Sequence, residues 1–350
     1  MATIKDVAER AGVAPSTVSY VLSGSRKISE ATRRAVQSAI EELGYHPRAS
    51  ARTLRSARSQ VLVLAVPREP GKYRAMDGRF AIDISDAARA HGYDVLLMTE
   101  PEGVAGLRRV ASSGLADAAI LMAVREEDPR IAALRELRFP TALLGHGNDR
   151  DEAELPWVDL DWEAAVTLAL REAVAAGHER IVFWASAEHE IAARRGYAMH
   201  GLKGAAAAAA ETGADIRVHH SSGEPDELRK RLRRVLTADP RPTALVVQHL
   251  ILLPVLLDEV ASLGLRVPDE LSVVLVGSLP EEPALRALPR IDLPVSQMAA
   301  AVSQLAVEAI NPPPPSRVPR PVPHELIPPR MAEGPRVAPP PPARSPRPAV

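Results

Sequence analysis

Residues 15–20 bring hydroxyl and aromatic side chains to the start of a short predicted helix. Val18, Val21 and Leu22 recur at the spacing of one helix face, and we expect this face to point inward. Serine and threonine hydroxyls can contact phosphates or base edges, and a tyrosine offers both a ring and a hydroxyl. The outer and N-terminal sides of the helix therefore present a surface suited to DNA, formed by Pro15, Ser16, Thr17, Ser19 and Tyr20.

Three short helices must position these side chains. Apolar residues from Ile4 to Ala11 fall on one face of a first helix, which Thr3 can cap. Gly12 begins a tight turn before the second helix, and a third helix is predicted over 29–44. This spacing is typical of a helix-turn-helix, although any small helical hairpin resembles one.

Charge is distributed unevenly along the chain. Residues 1–59 hold 10 Lys or Arg against 5 Asp or Glu, whereas residues 60–310 hold 27 against 37. A basic head on an acidic body is the expected distribution when only the head meets phosphates. A solvated charged surface would give the same numbers, so charge alone decides little.

Strands and helices alternate from residue 60 onward, and the alternation restarts after residue 158. This pattern predicts an α/β body of two doubly wound parallel-sheet subdomains with a cleft between them, behind a small all-α head. One of the predicted helices spans 190–212. The last 40 residues hold 16 of the 33 prolines and predict a largely disordered tail.

The expected domain boundaries follow from these patterns. They are a head at 1–47, a linker at 48–59, a body at 60–330 and a Pro-rich disordered tail at 331–350. Within the body, 60–160 with about 294–310 would form the N-subdomain, and 161–290 the C-subdomain.

Several classes of protein and of site lack support. The chain has no cysteine, no apolar signal segment and no run of apolar residues long enough for a membrane span, so we expect a cytoplasmic protein. His219-His220 has no further ligand at a suitable spacing, and no nucleophile elbow or dinucleotide fingerprint occurs. We therefore expect no metal, no cofactor and no enzymatic activity.

Residues 2–56 resemble the DNA-binding head of the lactose/galactose repressor (LacI/GalR) family almost continuously. The resemblance rests on the segments 3–13, Ser16-Thr17-Val18-Ser19, Thr32-Arg33 and 43–47. It implies a dimer on operator DNA, with a hinge helix from each subunit in the minor groove and Leu54 as a wedge between base pairs. The DNA-contacting residues that it implies are Thr3, Pro15, Ser16, Thr17, Ser19, Tyr20, Arg26, Tyr45, Ala51, Arg52, Leu54 and Arg55.

The body resembles the same family more weakly, and it departs from the family at the effector positions. Several carboxylates that would hold sugar hydroxyls are replaced, which argues against an ordinary monosaccharide. Two hypotheses stay open: a homodimeric repressor modulated by a small molecule, and an effector-blind regulator with a degenerate cleft. A solute-binding protein or an enzyme of similar fold is a third alternative. Candidate effector contacts are Asp77, Asp161, Trp162, Arg194 and His249.

Overall fold

The structure is a computed structural model. It describes residues 2–23, 26, 28–45, 58–68, 75–100, 103–220, 223–248, 252–279, 283–312 and 321–342. The expected linker residues Ala51, Arg52, Leu54 and Arg55, and also His249, lie outside the described residues.

The head consists of three helices, α1 (Ile4–Ala11), α2 (Pro15–Ser23) and α3 (Glu30–Leu43). Thr3 and Asp6 form a capping box at the start of α1, which satisfies backbone donors that the helix leaves unpaired. Gly12 ends α1 with a φ of +65°, a conformation that glycine adopts without steric cost. The shared core is small and is made of Val7, Ala8, Val18, Val36, Ala39 and Tyr45.

The N-subdomain is a six-stranded parallel sheet in the order β11-β5-β4-β3-β1-β2. Its central strands β3 and β4 are buried along their whole length and are almost entirely apolar, as expected for a sheet that is covered on both faces. Its strands are β1 (Val61–Ala65), β2 (Asp94–Met98), β3 (Ala118–Met122), β4 (Thr141–Leu144), β5 (Trp157–Leu160) and β11 (His324–Ile327). Its helices are α4 (Ala75–Ala90), α5 (Val104–Ser113), α6 (Pro129–Glu136), α7 (Asp149–Glu154) and α13 (Val295–Ile310).

The C-subdomain is a five-stranded parallel sheet in the order β10-β9-β8-β6-β7. Its strands are β6 (Arg180–Trp184), β7 (Asp215–His219), β8 (Ala244–Gln248), β9 (Ser272–Ser278) and β10 (Arg290–Asp292). Its helices are α8 (Trp162–Ala175), α9 (Glu188–Ala192), α10 (Gly196–Thr212), α11 (Pro225–Leu236) and α12 (Leu253–Ser262), with a short 3-10 helix at Pro283–Ala287.

The predicted helix over 190–212 is divided in the structure. It is interrupted between α9 and α10, where Arg194 adopts a φ of +49°. The interruption lets residues 194–196 pair with a loop of the other subdomain, so a tertiary contact overrides the local helical pattern.

The C-terminal segment 331–342 is ordered against the C-subdomain, contrary to the expectation of a disordered tail. Met331 and Val337 pack on the main core cluster, and the backbone N–H of Ala332 donates to the carbonyl of Arg290. The carbonyl of Ala338 accepts from His178 Nε2 at 2.8 Å and from Ser272 Oγ at 3.0 Å. Prolines exclude regular strand pairing, but an extended segment can still lie in a groove.

Candidate functional site: the N-terminal head and the subdomain cleft

The second helix of the head carries five of the twelve predicted DNA-contacting residues. Pro15 and Ser16 are exposed, Thr17 is half-buried, and Tyr20 is 36% exposed. Ser19 is also half-buried. Among Pro15–Leu22, Val18 is the one fully buried residue, so the face of α2 opposite Val18 lies at the surface of the head.

Leu22 differs from its expected position on the inner face, because it is 36% exposed. Val21 packs against the head core but is only partly buried. The core formed by three short helices is too narrow to cover Leu22 in addition to Val18. Helical periodicity therefore identified the centre of the buried face correctly but overestimated its width.

Tyr20 and Arg26 lie together on the exposed side of the head. The guanidinium carbon of Arg26 is 5.6 Å from the centroid of the Tyr20 ring, a cation–π arrangement. A planar cation held beside an exposed aromatic ring suits recognition of base edges and phosphates.

Thr3 and Tyr45 have structural roles in the head. The hydroxyl of Thr3 accepts from the backbone N–H of Asp6, and Asp6 Oδ2 accepts from the backbone N–H of Thr3 at 2.7 Å. These hydrogen bonds lower the pKa of Asp6. Tyr45, expected to face DNA, is 7% exposed and packs in the head core. It is held there because its backbone N–H donates to the carbonyl of Ile40 at 3.0 Å, which turns the chain back beneath α3.

The two subdomains are joined across one side of the cleft by backbone pairing. The N–H of Gly196 donates to the carbonyl of Val124 at 2.9 Å, and the N–H of Glu126 donates to the carbonyl of Arg194 at 3.0 Å. The guanidinium of Arg195 also donates to the carbonyl of Ala123. We call this pairing of 123–126 with 194–196 the latch.

Four rings stack next to the latch. His324, Trp157, His146 and His200 follow one another with centroid separations of 5.0, 4.7 and 4.1 Å. His200 lies on α10 of the C-subdomain, whereas the other three belong to the N-subdomain. The stack therefore crosses the boundary between the subdomains and adds to the contact made by the latch.

The two histidines of this stack titrate in opposite directions. Burial works to lower the pKa of His146, but the hydrogen bond from its Nδ1 to Asp159, at 2.9 Å, and the charge of that carboxylate raise it. Burial, followed by repulsion from His146, lowers the pKa of His200 to about 4. Of the two rings, His146 is therefore the one that holds an added proton more readily, and His200 resists protonation.

Asp161 and Trp162 are committed to internal contacts. Asp161 caps α8 by accepting from the backbone N–H of Ala164 at 2.9 Å. Trp162 is 4% exposed, donates from its indole to Asp159 at 3.0 Å, and lies flat against Gly277. A Cβ at Gly277 would come within 2.6 Å of this ring, so residue 277 must be glycine for the indole to fit.

The other effector candidates lie apart from this pair. Asp77, in the first turn of α4, has its carboxylate 4.0 Å from Arg68. Arg194 forms an ion pair with Glu126 at the latch. A cavity of about 750 Å³ lies outside the latch, and Arg194 and Glu126 form part of its wall.

Sequence reasoning missed Asp159, which joins these groups. Its carboxylate accepts from His146, from the indole of Trp162 and from the backbone N–H of Leu160. The available signal was a carboxylate in an otherwise apolar strand, because a buried charge needs several partners. The ion pair between Arg195 and Glu190, at 2.6 Å and with both side chains at most 10% exposed, was also missed.

Two further kinds of site are absent from the described residues. These residues contain no group of three or more His, Asp or Glu side chains that could hold a metal ion. None of the described helices combines the length and the apolar character that crossing a membrane requires.

Comparison with known proteins identifies the family. Residues 3–48 match the model described as bacterial regulatory proteins of the lacI family. Residues 80–247 match periplasmic binding proteins and the sugar binding domain of the LacI family, and 170–331 match a periplasmic binding protein-like domain. The HTH-type transcriptional regulator AglR of Rhizobium meliloti is 30% identical over 279 residues, which cover 77% of this chain and 76% of that protein. The chain belongs to the LacI family.

Other members of the LacI family cover more of the chain. The regulator CelR of Thermobifida fusca is 27% identical over 314 residues, covering 88% of this chain and 92% of that protein. The Lac repressor dimer bound to operator and the anti-inducer ONPF superposes with a TM-score of 0.78 at 20% identity, covering 96% of this chain and 98% of that one. The structure of a CelR–cellobiose complex superposes with a TM-score of 0.68 at 23% identity, covering 97% of this chain and 100% of that one.

These matches confirm the predicted family, the α/β fold with its helix-turn-helix head, and a transcriptional regulator rather than an enzyme.

Proposed function

We propose that this LacI-family regulator is a repressor that binds operator DNA through α2, with Tyr20 and Arg26 among the contacting residues. The observation that carries the proposal is the exposed surface of α2, where hydroxyls and the Tyr20 ring stand beside the guanidinium of Arg26. The linker at 48–59 adds four arginines and no acidic residue. Basic residues supply affinity for phosphates, while side chains at base edges supply sequence preference. Thr3, which is exposed, stays among the proposed DNA contacts, and so does Tyr45, although its ring packs largely within the head core.

The regulator acts as a homodimer in this proposal. One recognition helix reads few bases, and a dimer doubles the contacts and imposes two-fold symmetry on the operator. Ile82 on α4 is 63% exposed, and Leu96 and Leu97 on β2 are 37% and 49% exposed. Since β2 is an edge strand, an exposed apolar surface at this place is suited to pairing with a second copy.

Leu54 is proposed as the minor-groove wedge. Its linker ends where Ser59 binds Asp117 through both its backbone N–H, at 2.7 Å, and its hydroxyl, at 2.9 Å. The body therefore fixes the point from which the linker reaches DNA. A wedge costs a few kcal/mol of unstacking per step, and the larger contact surface of bent DNA offsets this cost.

A bending measurement tests the wedge. Leu54→Ala should lower specific operator affinity by about tenfold or more and reduce the bend angle, while salt-dependent non-specific binding stays nearly unchanged. Circular-permutation gel shifts with a salt titration give all three quantities. Leu137→Ala is the matched control because Leu137 is an exposed leucine of the body. Equal bend angles for wild type and Leu54→Ala would refute the wedge.

A small-molecule effector in the cleft completes the proposal, with Asp77, Asp161, Trp162, Arg194 and His249 as its candidate contacts. The CelR relative was solved in complex with cellobiose, so the fold accommodates such a ligand. In this chain the carboxylate of Asp161 caps a helix and Arg194 is paired with Glu126. An effector that contacts Arg194 must therefore compete with Glu126, and one that contacts Asp161 must share its carboxylate with the helix cap.

The effector-blind alternative is favoured by a specific observation. The latch and the four-ring stack fill part of the cleft with the protein's own side chains. A thermal-shift screen against sugars, nucleosides and metabolites, followed by operator gel shifts, separates the two candidates. A ligand that raises the melting temperature and changes operator affinity supports the effector. If no compound in the screen has both effects, the result supports the effector-blind regulator. In either case the proposed compartment is the cytoplasm.

A further inference from the structure

A second cavity lies at the far edge of the C-subdomain sheet, between the edge strand β7 and the C-terminal end of α11. Its volume is about 160 Å³. Its walls are largely apolar and include Val182, Val235, Pro240 and Pro242. It shares no lining residue with the latch or the ring stack, so it is separate from the cleft.

Cations surround this apolar cavity. Arg180, Arg217 and Arg234 line it together with a single carboxylate, Asp215. Asp215 is already bound by Arg217, with both of its oxygens 2.8 to 3.1 Å from the guanidinium nitrogens. The Nε of Arg180 donates to the carbonyl of Arg241 at 3.2 Å.

Arg234 is the available cation at this site. Within the described ranges it has no carboxylate oxygen inside the 4.0 Å salt-bridge distance. Three guanidinium groups thus face one carboxylate, in a body that otherwise carries an excess of acidic residues. A local positive field of this kind favours a bound anion.

His219 also lines the cavity and stacks on Trp184 with a centroid separation of 5.9 Å. Burial, and then the charges of Arg234 and Arg231, lower the pKa of His219. The ring is therefore neutral near neutral pH, and it offers hydrogen bonding without adding charge.

We infer that this cavity binds a small organic acid, with its apolar body against Val182, Val235 and Pro240 and its carboxylate on Arg234. The volume of the cavity, about 160 Å³, sets the size of the ligand. An apolar cavity of about 150 Å³ in another protein accommodates benzene, so a single ring fits here. The walls decide the class, since inorganic phosphate would leave the apolar surface uncovered. A guanidinium binds a carboxylate through two parallel hydrogen bonds, which fixes its orientation.

Isothermal titration of the full chain with benzoate tests this site. Benzoate should bind saturably with a dissociation constant of about 1 mM or tighter, and benzamide, its neutral isostere, should bind at least about tenfold more weakly. Arg234→Gln should weaken benzoate binding by at least about tenfold. Lys230→Gln is the matched control, because it makes the same charge change one turn earlier on α11 and lies outside the lining. It should change the affinity by less than about twofold.

Filling the cavity provides an independent test. Ala238 is an exposed lining residue, so Ala238→Phe should fold normally and should abolish benzoate binding. Four results would each overturn the inference: no saturable binding of benzoate, equal affinity for inorganic phosphate and benzoate, equal losses in Arg234→Gln and Lys230→Gln, and unchanged binding in Ala238→Phe.

Discussion

Gly196→Ala probes whether the two subdomains are held together by the latch in solution. Gly196 begins α10, and a Cβ at this position would lie 1.8 Å from the carbonyl oxygen of His146 in the other subdomain. Ordinary contact begins at 3.4 Å, so the two loops would have to separate by about 1.6 Å. The obstacle is backbone, which cannot rotate away as a side chain can.

The expected loss of stability follows from the interactions that this separation of the two loops would break. The hydrogen bonds from Gly196 to Val124 and from Glu126 to Arg194 would both stretch beyond hydrogen-bonding distance, at about 1 kcal/mol each. The stacking of His146 on His200 contributes a further 0.5–1.5 kcal/mol or so. We therefore expect Gly196→Ala to lower the free energy of unfolding by about 2–4 kcal/mol.

If the two loops do not touch in solution, Gly196→Ala should instead raise the free energy of unfolding. Gly196 lies in a helix and has a negative φ, where alanine is favoured over glycine by up to about 1 kcal/mol. Urea denaturation measures the difference. Gly106→Ala on α5 is the control, because the added Cβ there meets only the flexible ends of Met98 and Glu100. It should stay within about 1 kcal/mol of wild type. A Gly196→Ala protein as stable as wild type, or more stable, would refute the latch.

Two further predictions concern the C-terminal segment and pH. Truncation after Arg330 should lower the melting temperature by several degrees, because His178 and Ser272 lose the carbonyl that they bind. Truncation after Pro342 is the control and should leave the melting temperature unchanged. Equal melting temperatures for the two truncated proteins would contradict a structural role for 331–342. The free energy of unfolding should fall as pH is lowered from about 6.5 toward 4, since the unfolded chain takes up a proton that the folded His200 resists. His146 contributes in the opposite sense, because its raised pKa favours the folded state only while it is protonated. His200→Gln should therefore flatten the slope between pH 6.5 and 4, as measured by denaturation at each pH, and an unchanged slope would exclude His200 as its source.

Local patterns in the sequence were sufficient for the head and for the α/β character of the body. Thr3 caps α1 as predicted, Ser29 caps α3 at the start of its predicted range, and Gly12 and Gly44 end the two helices in the left-handed conformation. These features depend on neighbours within a few residues, which the sequence shows directly. The alternation of strands and helices is likewise local, and the residues that carry the family resemblance in the head are nearly contiguous.

Only the tertiary structure decided which polar and apolar groups are buried together. Tyr45 joins the head core while Leu22 stays exposed, because the width of the covered face depends on how three helices pack. Asp159, His146 and His200 meet although they belong to three different segments of the chain.

The C-terminal segment also shows how far local sequence can predict the structure. Its prolines predict the absence of regular pairing, and in 331–342 the structure has neither helix nor strand. Its order comes from His178 and Ser272, which lie 160 and 66 residues away from Ala338. Burial is set by partners that are distant in sequence, whereas helix capping and strand alternation are set by neighbours. Local sequence therefore determined most of the elements, while the tertiary structure decided their contacts and the break between α9 and α10.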